Sequence, residues 1–184
     1  MAVLKIPQSE CGKVAKAHIV DALHDIGYII IEKPVAIVHS AIQVDKEVCE
    51  TYGYDIYESF NNGGTILANV GDIMFSHIGS IESNWIFRFA EYFTKWLKEK
   101  NLNAEFIDND VLVDGHKVCG ICITRYGKID FSSGFVGVNT NLEHIKKICR
   151  KPMKKIPKGL SDYGITTEEI EQMFLEFCKT ECDF

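Results

Sequence analysis

Apolar positions along the chain follow two different periods. Over 82–100, Ile86, Phe89, Phe93 and Trp96 or Leu97 recur at helical spacing and predict a long helix with an aromatic stripe facing the core. Residues 9–26 carry the same period through Ala15, Ile19, Ala22, Leu23 and Ile26, with Ser9 as cap and Gly27 as stop. Between these lie short runs of strand character. They are Tyr28–Ile31 and Val35–Val38, split by a bend at Lys33-Pro34, then Asp55–Phe60, Thr65–Ala68, Ile73–Ile78, Val111–Val113, Val118–Ile123 and Ile129–Val138. Val44–Tyr52, closed by Gly53, and Asn141–Cys149 predict short helices. The last helix starts at Thr166, where Thr166-Thr167-Glu168-Glu169 forms a capping box ahead of Ile170, Met173, Phe174 and Phe177. This order predicts an α/β chain of the α+β kind: one domain over 1–184 without an accessory domain, its mixed, mainly antiparallel sheet backed by helices. One sheet is expected to carry 54–78 and 105–138, backed by the helix at 82–100.

The hairpin around Asp114-Gly115 is the most specific local pattern. This dipeptide, flanked by β-rich runs, predicts a two-residue turn with both central residues at positive φ. Val113 then sits opposite His116 and Leu112 opposite Lys117. Strict alternation puts Asp110, Leu112, Lys117 and Cys119 on one face, and Val111, Val113, Val118 and Gly120 on the other. A lysine and an aspartate on one otherwise apolar face are either a solvated pair beside a turn or chemistry.

Composition narrows the function classes. With 184 residues, 46% hydrophobic and 25% charged, the chain is ordinary globular material. A net charge of −6 argues against a dedicated nucleic-acid binder, although the basic run from Lys146 to Lys155 suits an acidic partner or a phosphate. Neither a signal-peptide core nor a membrane-spanning apolar run is present, so the expected location is cytoplasmic and away from the membrane. The seven cysteines are then expected as reduced thiols. Cys119 and Cys122, three apart in a predicted strand, point to opposite faces and are not expected to hold zinc or form a disulfide. Gly63-Gly64-Thr65, followed by Gly71-Asp72, fits either a backbone cradle for phosphate or a turn between strands.

Four stretches taken together resemble lipoate–protein ligases and their biotin-ligase relatives. Asn62-Gly63-Gly64-Thr65-Ile66-Leu67, then Gly71-Asp72, is similar to the family's Arg-Arg-x-Gly-Gly-Gly strand–loop–strand. Asn109 to Gly120 resembles its Asn-Asp-(apolar)-Asp-Gly-(x)-Lys-(apolar)-x-Gly hairpin. Ser133-Gly134-Phe135 through Val138-Asn139, with the helix after it, resembles its His-Gly-(apolar)-Asn segment, and Lys158-Gly159-Leu160-Ser161 resembles the segment closing the catalytic domain. The resemblance implies an enzyme that joins lipoate to AMP with ATP and Mg²⁺, then passes the acyl group to a lysine of an acceptor domain. That acceptor would be a dehydrogenase-complex E2 or a glycine-cleavage H-like protein, and a separate accessory subunit is a further expected partner. By resemblance Lys117 is the catalytic cation. Gly63, Gly64, Thr65, Asn109, Asp110, Gly120, Ser133 and Gly134 would bind substrate or nucleotide, and Asp110 would hold Mg²⁺.

The chain departs from the family pattern at several positions. Ser59-Phe60 stand where the family has an arginine pair, Asn62 replaces the third glycine, Ser133 replaces a histidine, and Asp108 stands where ligases often have arginine. Three alternatives therefore stay open. They are an octanoyl- or lipoyl-transferase of the same fold, a biotin–protein ligase, and an acyl-binding module without adenylation. Pro157-Lys158-Gly159, where one transferase type carries Pro-Cys-Gly, counts against the first.

Overall fold

The computed structural model describes residues 3–8, 26–59 and 64–182. Seven strands form the main sheet: β1 (Val3–Lys5), β2 (Ile26–Ile30), β6 (Ile73–Ser80), β7 (Ala104–Ile107), β8 (Asp110–Val113), β9 (His116–Tyr126) and β10 (Ile129–Val136), in the order β1-β2-β6-β10-β9-β8-β7. All its pairings are antiparallel except β1 with β2. A separate sheet holds β3 (Val35–Val38) between β4 (Asp55–Glu58) and β5 (Ile66–Ala68). The bend at Lys33-Pro34 therefore carries the chain from one sheet into the other. Strands β4 and β5 do not join the main sheet, contrary to the expectation of one sheet; all four β3 residues are buried, a pattern that names no neighbour.

Burial sorts the elements into four layers. Helices α2 (Trp85–Glu99) and α4 (Thr167–Cys182) cover one face of the main sheet, where Phe75, Trp85, Phe89, Phe93, Phe174 and Phe177 form its largest core. The predicted aromatic stripe thus faces inward. On the other face, Ile29 and Met74 meet Val35, Ile37 and Ala68 of the small sheet. The outer face of that sheet is closed by α1 (Lys46–Thr51) and α3 (Leu142–Ile148) through Cys49 and Ile148. The capping box of α4 is formed reciprocally: Thr166 N–H donates to Glu169 Oε2 at 2.9 Å, and Glu169 N–H to Thr166 Oγ1 at 3.3 Å. The helix expected over 9–26 lies outside the described residues, save that Ile26 belongs to β2. No helix among the described residues is long and apolar enough to cross a membrane.

Two buried features tie the layers together. Asp72, with 0% exposure, sits at the turn between β5 and β6. Its Oδ2 accepts from Asn69 N–H and its Oδ1 from Val138 and Asn139 N–H, all at 2.7 Å. That joins the exit of the small sheet to the end of β10. Burial pushes this carboxyl up to about 6, while the three N–H donors pull it down. The second feature is Gly134, whose face of β10 is filled by the Phe75 ring. A Cβ there would lie 2.6 Å from Phe75 Cε2 and 2.7 Å from Cε1. Phe75 is 1% exposed among other rings and has nowhere to move. Gly134→Ala is expected to destabilise by about 1–3 kcal/mol, read as a lower midpoint in urea unfolding with an unchanged slope.

Candidate active site

The site is built by two consecutive two-residue hairpins. Asp108 (φ 53°) and Asn109 (φ 66°) turn β7 into β8, and Asp114 (φ 50°) and Gly115 (φ 77°) turn β8 into β9. Positive φ at both central residues suits the twist of antiparallel strands, and Asp, Asn and Gly tolerate it best. The second hairpin keeps the predicted register, with Val113 opposite His116 and Leu112 opposite Lys117. Beyond that point the register slips: Val111 pairs with Cys119 and Asp110 with Gly120. Val118 is the extra residue of a β-bulge.

The bulge corrects the expected assignment of faces. Val118 and Cys119 both enter the core, at 2% and 1% exposure, and Gly120 turns to the face of Lys117 and Asp110. The chemistry follows from this inversion. A Cβ at Gly120 would stand 2.7 Å from Lys117 Nζ and 3.3 Å from Asp110 Oδ1, so only glycine leaves the ammonium its place. Lys117 Nζ lies 2.6 Å from Asp110 Oδ1. Burial pushes the Cys119 thiol up to about 12, leaving an inert core thiol. Cys122 lies on the opposite face, opposite Ser133.

A second cation completes the cluster. Lys155 Nζ lies 3.1 Å from Asp110 Oδ2 and 3.9 Å from Asp108 Oδ2, and donates to the Ile107 carbonyl at 3.0 Å. Its segment is fixed to the site strand by backbone bonds: Lys117 N–H to the Ile156 carbonyl and Lys158 N–H to the Lys117 carbonyl, each 3.0 Å. The two oxygens of Asp110 are thus divided between two lysines. Lys155 stands in an irregular stretch between Pro152 and Pro157, and its only sequence signal was the local run of basic residues.

The other expected site residues are spread more widely. Asn109 borders the cluster through its backbone, its carbonyl accepting from Ile121 N–H at 2.9 Å. Ser133 lies on the Gly120 face of the main sheet, between Ser76 and Cys122. Gly134 faces the opposite way, under Phe75, and is a packing glycine rather than part of the Lys117 face. Gly64 and Thr65 lead into β5, where Thr65 Oγ1 is 3.5 Å from Gln43 Oε1; they stand with the small sheet and not on the hairpin. Gly63 lies outside the described residues.

A mainly antiparallel sheet, a smaller sheet stacked on one face and helices on the other make up the fold that this chain shares with lipoate protein ligases of known structure. The sequence signature of the lipoyl protein ligase A/B catalytic domain matches residues 21–177, and the chain belongs to that family. The bi-partite lipoate protein ligase of Thermoplasma acidophilum, described with its E2 lipoyl domain, has the same fold. It is 14% identical with a TM-score of 0.80, over 98% of this chain and 83% of that one. A protein of T. acidophilum described as a lipoate ligase, with bound lipoic acid, gives 13% identity and a TM-score of 0.78, over 98% of this chain and 85% of that one. Lipoate-protein ligase A bound with ATP gives 13% and 0.76, with the same coverage. At these identities the likeness is one of fold. No curated protein matches the chain.

Proposed function

We propose that this protein is a lipoate–protein ligase. It forms lipoyl-AMP from lipoate and ATP and transfers the lipoyl group to a lysine of an acceptor domain. A carboxylate oxygen of lipoate attacks the α-phosphorus while the bond to the β-phosphate breaks and pyrophosphate leaves. The acceptor amine then attacks the acyl carbon, the carbon–oxygen bond to AMP breaks, and the amine proton passes to solvent.

The observation that carries this reading is the Lys117 ammonium, held by Asp110 above a glycine floor. The first step brings two anions together, and a fixed cation whose contacts strengthen as charge builds lowers its barrier. Lys117 also retains the acyl-adenylate for the second step. The lipoyl chain runs along the face of Gly120, Cys122 and Ser133. Both oxygens of Asp110 are held by lysines, so a Mg²⁺ that arrives with the triphosphate would be held by phosphate oxygens and would reach Asp110 only as those lysines turn to the phosphates. Such an ion supplies charge neutralisation to the nucleotide. The acceptor is a lipoyl domain of the E2 type or an H-like protein in the cytoplasm, with or without a separate accessory subunit.

Lipoate-dependent ATP–pyrophosphate exchange, run separately with lipoate, octanoate and biotin, tests the reading. Exchange with lipoate supports it. Exchange with another acid alone reassigns the substrate, and none with any acid rejects ligase chemistry.

A further inference from the structure

Resting on that reading, we propose that Lys155 is a second phosphate-binding residue, gripping the triphosphate of the nucleotide together with Lys117. The chain has three arginines, and each already faces an acid away from the hairpin: Arg88 with Glu181, Arg125 with Asp130, and Arg150 with Asp45. Charge for a polyphosphate therefore has to come from lysine, and at this site two lysines converge on one carboxylate.

The two ammoniums face two carboxylates, Asp110 shared between them and Asp108 at 3.9 Å from Lys155, but the side chain of Asp108 is 83% exposed and its charge is largely screened by solvent. Lys155 is itself the more enclosed of the two cations, 23% exposed against 37% for Lys117. Charge is screened less there than on open surface. An arriving polyanion offers charged oxygens to Lys117, which now has one Asp110 oxygen, and to Lys155, which has the other together with the neutral Ile107 carbonyl, and charge-assisted bonds of this kind are the strong ones. The segment is already tied to β9 on both sides of Pro157, so little further ordering of its backbone is needed when the nucleotide binds.

The experiment compares the full-length wild type with Lys155→Met and Lys155→Arg. It measures ATP and AMP affinity by calorimetric titration, KM for ATP and for lipoate in the exchange reaction, and Tm. The Met variant is expected to bind ATP about tenfold more weakly and to show a KM for ATP raised about tenfold, with less change for AMP and an unchanged KM for lipoate. The Arg variant should recover most of the loss. Equal ATP affinity in wild type and the Met variant overturns the proposal. So does a parallel loss for ATP and lipoate with a lowered Tm, which would make Lys155 a structural pin of the 150–158 connection. If wild type binds ATP but exchanges with no acid, the ligase reading fails while the titration still decides the role of Lys155. A wild type that binds no ATP overturns both.

Discussion

Alanine in place of Lys117 is expected to slow lipoyl transfer to an acceptor domain on the order of 100- to 1000-fold. Tm should stay within about 2 °C of wild type. The two effects separate because of where the side chain stands. Its ammonium is the group placed over Gly120, where negative charge would build on the reacting phosphate, and Lys155 approaches Asp110 from the other oxygen. The fold, in contrast, loses little. The side chain is 37% exposed, and a pair of that kind contributes about 0–1 kcal/mol. Asp110 also keeps Lys155, so no carboxylate is stranded. Transfer assays with melting curves on both proteins check this, and equal rates would remove Lys117 from the chemistry and with it the main ground for ligase activity.

Asp72→Ala should act in the opposite way, on the fold first. Removing the carboxylate strands three backbone N–H groups, those of Asn69, Val138 and Asn139. Each unpaired buried donor costs about 1–3 kcal/mol. Water can reach the more open Asn139, so a loss of about 3 kcal/mol is expected, or roughly 6–12 °C in Tm for a chain of this size. The pH dependence carries a definite sign. The folded carboxyl is raised from 3.8 to about 6, so its protonated form is favoured by folding. That contribution is fully present below pH 3.8 and is lost as pH rises through about 6. The stability gap between wild type and Asp72→Ala should therefore be wider at pH 4.5 than at pH 7.5. A gap that widens with pH would mean that the backbone donors, not burial, set this titration.

Much of the fold was legible because its signals are local. Asp114-Gly115 demanded a tight turn, the aromatic stripe over 82–100 demanded a buried helix face, and Thr166 to Glu169 demanded a cap; each is met where it was expected. What was missed depended on partners remote in sequence. β3 is apolar at every position, so nothing in it distinguishes a strand of the main sheet from one of a second sheet. β7 was included in the sheet only as the start of 105–138 and could have been marked as a strand of its own: Ala104 and Phe106 alternate with polar or exposed positions ahead of Asp108-Asn109, a turn pair nearly as telling as Asp-Gly. Gly134 was misread because a strand glycine fits a ligand or a neighbouring ring equally well, and the ring belongs to a strand some 60 residues earlier. Lys117 and Asp110 were legible as a pair, whereas Lys155 reaches them from a segment without periodicity.

The bulge at Val118 makes the hairpin sensitive to parity. Two successive apolar residues, Val118 and Cys119, enter the core side by side, and every later residue of β9 owes its orientation to that odd step. Deleting either would remove the bulge and restore plain alternation, with Gly120 and Cys122 still on the face of Lys117 and Ile121 still in the core. A deletion after Gly120 has no such slack and would exchange inside and outside along the rest of the strand, turning Cys122 or its successors toward the aromatic core. One residue of length is therefore expendable at the bulge, whereas beyond it residue count is a stricter requirement than residue identity.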